Sequence, residues 1–274
     1  MNSTDNYFDA EKLFRRYFIS RAKDYLRSMT DEKYWLGVKS DIDKWVKNFD
    51  GIREGEYIAM RIICNMIVYS ETDVAKLVDA GLRELYKENL VKCQIDNDFR
   101  LRVQECEHIV KEIHTKTILC PLEVDAAPTQ SSHALLRVMK NRSKRADECK
   151  VYSLSEIESI QKGSVGQLVV VDDWIGSGKQ VETFMKRKVG NNDNIVEFCK
   201  EKNIQLIFLF LAGYKKSIEE IEKKGIKVIC MESIDDSHSL FKNGSSCWKN
   251  EEERVNIKSI LDAYSNRRGI KIYG

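Results

Sequence analysis

The sequence predicts an α/β protein, in which an N-terminal helical module of winged-helix-like outline precedes a mostly parallel sheet. Three observations carry this. Apolar residues recur at helical spacing through the first hundred positions. From about residue 115, short apolar runs alternate with amphipathic segments, the pattern of strands joined by crossover helices. The run Val169-Val170-Val171 then ends abruptly at Asp172-Asp173 and a glycine-rich turn, as a buried strand does at a ligand-binding sheet edge. The expected division is a helical module over residues 1–110 and an α/β domain over 111–274.

The N-terminal helices follow from their apolar stripes. Phe8, Leu13, Phe14, Tyr17, Phe18, Tyr25 and Leu26 mark a first helix; Trp35, Leu36, Val38, Ile42, Trp45, Val46 and Phe49 mark a second. Trp35 and Trp45 fall close to one face and are expected to anchor its core. After Asp50-Gly51, an apolar helix is expected from Tyr57 to Tyr69, and another on Val74, Leu77, Val78, Leu82 and Leu85, capped by Ser70 or Thr72. Alternation of Val91, Cys93 and Ile95, then of Phe99, Leu101 and Val103, around Asp96-Asn97-Asp98 predicts a β-hairpin. Helices followed by a hairpin give the winged-helix outline. Its reading helix would carry Asp73, Asp79, Glu84 and Glu88, which oppose phosphates, so direct DNA binding is not expected. A module this apolar is expected to meet a protein partner or a second copy of the chain.

The second half reads strand by strand. Thr117–Cys120, Lys150–Ser153, Gln167–Asp173, Gln205–Ala212 and Ile226–Cys230 are the expected strands. Ser131–Arg142 is an expected helix, as are a segment on Ile218 and Ile221 closed by Gly225, and Glu251–Ala263. Asp235-Asp236-Ser237-His238 should start a helix capped by Asp236.

Composition sets the outer limits. With 42% hydrophobic and 32% charged residues, the 274-residue chain has the makings of a globular core. A net charge of +2 excludes a general polyanion binder. No apolar run reaches the length of a membrane span, and the N-terminus lacks a signal-peptide core. The eight cysteines are irregularly spaced and several sit in apolar runs, as expected of reduced thiols in the cytoplasm. Cys106, His108, His114 and Cys120 fit no common zinc spacing and are not expected to hold a metal.

The chemistry concentrates in Val169-Val170-Val171-Asp172-Asp173-Trp174-Ile175-Gly176-Ser177-Gly178-Lys179-Gln180. Backbone N–H groups opening the following helix suit a phosphate. Paired carboxylates suit hydroxyls or a divalent metal, so a sugar phosphate is the first ligand to consider. A Walker A loop is excluded: its first glycine would fall on Asp173, and its metal-binding Ser/Thr on Gln180.

This stretch resembles the 5-phosphoribosyl-1-pyrophosphate (PRPP) motif of the type I phosphoribosyltransferases. The resemblance implies that Asp172 and Asp173 hold the ribose hydroxyls, with Mg²⁺ as cofactor, and serve the catalytic step. It likewise implies that Gly176, Ser177, Gly178, Lys179 and Gln180 wrap the 5′-phosphate. The nearest variant is the purine-salvage one. There Gly176 replaces an aspartate often given the general-base role, and Gln180 replaces a threonine. The ligand implied is PRPP or a phosphoribosyl nucleotide; the alternative is a sensing or interaction module without turnover.

Two further segments bear on the site. Ser131 and Ser132 open the helix after an earlier strand, where the resembled family binds pyrophosphate; simple N-capping explains them equally well. Arg137, Lys140, Arg142, Lys144, Arg145 and Lys150 form a basic cluster, and Arg137 is its candidate pyrophosphate contact. The resemblance covers about residues 115–235. Together with Trp35…Trp45-x-x-Asn48-Phe49 and Ser131-Ser132-x-x-Leu135, the motif resembles phosphoribosyltransferase-like proteins of bacterial conflict and phage-defence (retron-like) loci. That implies an effector or regulator. Members of that group continue past the position of Gly274, so a final strand is expected to be missing here.

Overall fold

The computed structural model describes residues 3–31, 39–122, 131–142, 146 and 149–268. Trp35, Lys144, Arg145 and the 128–130 segment therefore lie outside the described residues.

The chain forms two compact units. One is continuous, Glu71–Ile234; the other joins Met1–Ser70 to Asp235–Gly274. These units do not follow the expected boundary near residue 110. The helix expected on Val74–Leu85 belongs with the sheet, and the C-terminal helix belongs with the N-terminal ones.

The continuous unit is built on five parallel strands, β1 (Thr117–Pro121), β2 (Lys150–Val151), β3 (Gln167–Ile175), β4 (Gln205–Tyr214) and β5 (Lys227–Ile234). Their order is β2-β1-β3-β4-β5. β3 and β4 are nearly all apolar, as expected of strands covered on both faces.

Side chains alternate between the two faces. Val169, Val171, Ile207 and Leu209 meet Val78, Leu82 and Leu85 of α4 (Glu71–Asp96) and Leu135, Leu136 and Met139 of α6 (Ser131–Arg142). Leu168, Val170, Phe208 and Phe210 meet the opposite layer. That layer comprises α7 (Leu154–Ile157), α8 (Lys179–Met185), α9 (Ile195–Lys202) and α10 (Lys215–Glu222), through Ile157, Phe184, Phe198 and Ile221. Gly225 follows α10 with φ +76°, the left-handed conformation that glycine adopts without penalty.

The hairpin expected over 90–103 is absent. Residues to Asp96 continue α4, and α5 (Val103–Thr115) follows a short turn. The apolar alternation was misleading because helical spacing decides burial here. Tyr86, Leu90 and Cys93 pack with Cys106 and Val110, while Val91 and Ile95 of the supposed strand stay more than half exposed. Without a wing, the winged-helix outline falls. The acidic helix that would hold the reading position in that outline lays its apolar face on the sheet.

In the other unit, α1 (Ser3–Asp31), α2 (Lys39–Lys47) and α3 (Gly55–Cys64) pack around Ala22, Leu26, Ile42, Met60 and Ile63. Trp45 is half-buried against that core, its ring 4.9 Å from that of Phe49. Tyr57 and Ile58 meet Cys247, Trp248, Ile257 and Leu261, the last two on α11 (Glu251–Arg268). The Tyr57 hydroxyl donates to Glu253 at 2.7 Å, joining positions 196 residues apart. Asp236–His238 is a single 3₁₀ turn rather than a longer helix, and its cap is Asp235, whose carboxylate accepts from the Ser237 N–H at 3.0 Å.

Candidate functional site

The strand order sets the location. The chain passes from β1 outward to β2, then returns across β1 to β3, so the switch point of the sheet lies between β1 and β3. Open α/β sheets bind ligands in the crevice outside the carboxyl ends of the strands at such a point. β3 carries Asp172-Asp173 there, just before its end at Ile175, and the Leu122 N–H just beyond β1 donates to the Val171 carbonyl at 3.0 Å, holding the two strands together.

Neighbouring residues on a strand face opposite ways, and the two acids differ accordingly. Asp172 is buried; Asp173 is exposed. The Asp172 carboxylate accepts from the Asp173 N–H at 3.0 Å. Burial first, and the charge of Asp173 second, push the Asp172 carboxyl up to about 7. Ser131 opens α6 beside them. Its hydroxyl lies 3.1 Å from an Asp173 oxygen and 3.4 Å from an Asp172 oxygen, with the carboxylates as acceptors. Of the expected site residues outside the motif, Ser131 is the one the fold brings to the acids.

Ser132 is fully buried and donates to the Leu122 carbonyl at 3.4 Å, facing the end of β1. Arg137 is exposed on α6 and makes no described contact with the acids. Lys140 of the same basic cluster donates to the carbonyls of Ala146 and Cys149, each at 3.0 Å, and so fastens the chain entering β2.

The turn after β3 is tightly specified. Gly178 has φ +75° and precedes α8, a conformation that a side chain would strain. A Cβ on Gly176 would lie 2.9 Å from Trp174 Nε1. Ser177, Lys179 and Gln180 are exposed. Together with Leu122 and Trp174 the turn lines a cavity of about 230 Å³. Ser217 on α10, which nothing in its local sequence marks, is buried and donates to the Gly176 carbonyl at 2.6 Å. It fixes the turn from beneath, and the only signal for it is spatial. Among the described residues, no group of three or more His, Cys, Asp or Glu is placed to hold a metal. His114 instead lies with a ring nitrogen 3.6 Å from the Cys149 sulfur.

The family model described as PRTase-CE matches residues 42–274, so the match runs through both units. No curated protein matches the chain. Among solved structures the chain is similar to orotate phosphoribosyltransferase from Aeropyrum pernix, at 10% identity over 57% of this chain and 68% of that one, with a TM-score of 0.28. It is similar to a hypothetical protein from Neisseria gonorrhoeae with bound ppGpp, at 11% identity over 72% and 96%, with a TM-score of 0.35. The AQ2163 protein from Aquifex aeolicus gives 10% identity over 65% and 84%, with a TM-score of 0.32.

Proposed function

We infer that this chain, which belongs to the PRTase-CE family, binds PRPP or a phosphoribosyl nucleotide at the carboxyl end of β3. One observation carries the reading: Asp172 and Asp173 converge with Ser131 at the switch point of the sheet, directly before a turn of Gly176 to Gln180. Paired carboxylates accept hydrogen bonds from vicinal hydroxyls. The turn offers backbone N–H groups and the Lys179 ammonium to a phosphate.

The donor set also fits Mg²⁺, a hard cation that takes one or two carboxylates and draws its remaining ligands from water and substrate phosphates. Asp172 and Asp173 would hold it, and when bound it supplies charge neutralisation at a departing pyrophosphate. The chain's own residues do the rest. Asp172 and Asp173 orient the ribose, and Ser131 aligns the carboxylates. Ser217 holds the turn in place, so catalysis here is positioning and charge stabilisation. Loss of the Asp172 proton is needed before it can accept from two hydroxyls or bind the cation.

A second reading, a sensor that binds without turnover, is favoured by Gly176. The purine enzymes that the motif resembles place an aspartate there, and Trp174 occupies the space that its Cβ would enter. Pyrophosphate release, assayed across pooled bases and nucleotides, separates the two: release with some acceptor makes the chain a transferase, and binding without release makes it a sensor.

The wider setting belongs to the same proposal. The motif, the Ser131-Ser132 turn and the N-terminal tryptophans support an effector or regulator role in defence against phage. The cysteines form no disulfide among the described residues, and no described helix is long and apolar enough to cross a membrane. The irregular spacing of the eight cysteines supports a reducing compartment such as the cytoplasm. Leu13 and Tyr17 on α1 are 68% and 64% exposed and offer apolar surface to a protein partner or a second copy.

A further inference from the structure

We propose that the unit formed by Met1–Ser70 and Asp235–Gly274 carries a second binding site, for a phosphorylated small molecule of nucleotide size. It goes beyond the reading of the β3 site and does not depend on it.

A cavity of about 670 Å³ opens in this unit, lined by α1, the start of α3 and the start of α11. Small-molecule sites range from roughly 300 to 1,000 Å³. The lining is rich in charge of both signs, and the pairing of those charges decides what it attracts. Glu11 and Glu54 both pair with Arg15, the first at 2.9 Å. Glu56 pairs with Lys23 at 2.5 Å. Glu253 accepts from the Tyr57 hydroxyl at 2.7 Å and from the Lys249 N–H at 2.6 Å. These four acids are engaged within the protein.

The cations are less so. Among the described residues, Lys12 and Arg16 have no ion pair, and the Lys249 ammonium sits over the Phe14 ring at 5.2 Å. Glu252 is the one lining acid without a partner there. The uncommitted charge is therefore positive. Lys12 and Arg16 stand one turn apart on α1, where like charges repel and cost stability unless an anion lies between them. Arg16 presents the planar fork that suits phosphate oxygens. Ile19, half-buried in the lining, gives apolar surface for the rest of the molecule.

Calorimetric titration of the full chain with ADP, and separately with inorganic pyrophosphate, tests this. ADP binding is expected to survive in the Asp172→Asn/Asp173→Asn variant and to weaken by at least about tenfold in Lys12→Ala/Arg16→Ala. Both α1 positions are exposed, and thermal unfolding verifies that the variant folds. Three results would overturn the proposal: no heat with either probe at millimolar concentration, ADP affinity unchanged in Lys12→Ala/Arg16→Ala, or a single-stranded oligonucleotide held by Lys12 and Arg16 more tightly than ADP.

Discussion

The hydroxyl of Ser131 lies 3.1 Å from the carboxylate of Asp173, although 42 positions separate them in the chain. α6 packs on the face of the sheet that carries Val169 and Val171, and Asp173 has the same parity on β3. The first residue of α6 is thereby delivered to the acid. Ser131→Ala removes a donor that both carboxylates share. PRPP affinity should fall by about fivefold to tenfold, the loss of one hydrogen bond to a charged group. Titration of the variant with PRPP and Mg²⁺ measures this; full affinity would reduce Ser131 to a helix-capping residue.

The raised Asp172 carboxyl makes stability depend on pH. Its folded value, about 7, lies above the ordinary aspartate value of 3.8, so the fold favours the protonated form. That contribution is complete below pH 3.8 and is lost as pH rises through 7. Asp172→Asn stays neutral throughout. It should match the parent protein in acid and exceed its stability above neutrality, by on the order of 4 kcal/mol. Urea unfolding across the pH range is the measurement, and a gap independent of pH would contradict it.

Gly176→Asp restores the residue that purine enzymes have at this place, yet its Cβ would meet Trp174 Nε1 at 2.9 Å. Trp174 must move, and the turn with it. We expect weaker PRPP binding, no gain in pyrophosphate release, and a changed tryptophan emission spectrum. A rise in pyrophosphate release would show that Trp174 yields and that a purine-type mechanism operates.

Gly81 lies where α4 crosses the sheet, and a Cβ there would approach Leu209 Cδ1 to 2.6 Å. Gly81→Val places a branched side chain into that contact, and overpacking should cost about 1–3 kcal/mol. A lowered urea midpoint with an unchanged slope is the expected result. An unaffected midpoint would mean that α4 is not seated on β4.

Much of the sheet unit was legible because its strands are continuous β-branched and aromatic runs bounded by turns. β3 and β4 needed no partner to be recognised, and Ser131 to Arg142 read directly as a helix. The hairpin error has a physical source: Val91, Cys93 and Ile95 alternate in sequence, but the helical set Tyr86, Leu90 and Cys93 finds its partners in Cys106 and Val110. Periodicity cannot choose between two faces when the covering element is unknown. The motif identified the acids, whereas Ser217 carried no local signal because its role exists only where α10 passes beneath the turn. The joining of residues 235–268 to the N-terminal helices was hidden for the same reason, since the Tyr57–Glu253 hydrogen bond spans most of the chain.

The central claim is that Asp172 and Asp173 hold a phosphoribosyl ligand. Its most direct test is calorimetric titration of PRPP with Mg²⁺ into the protein and into the folded Asp172→Asn/Asp173→Asn variant. Loss of two charged acceptors should weaken binding by about a hundredfold or more, corresponding to roughly 3 kcal/mol. Equal PRPP affinity in the two proteins would remove the acid pair from the site and contradict the account.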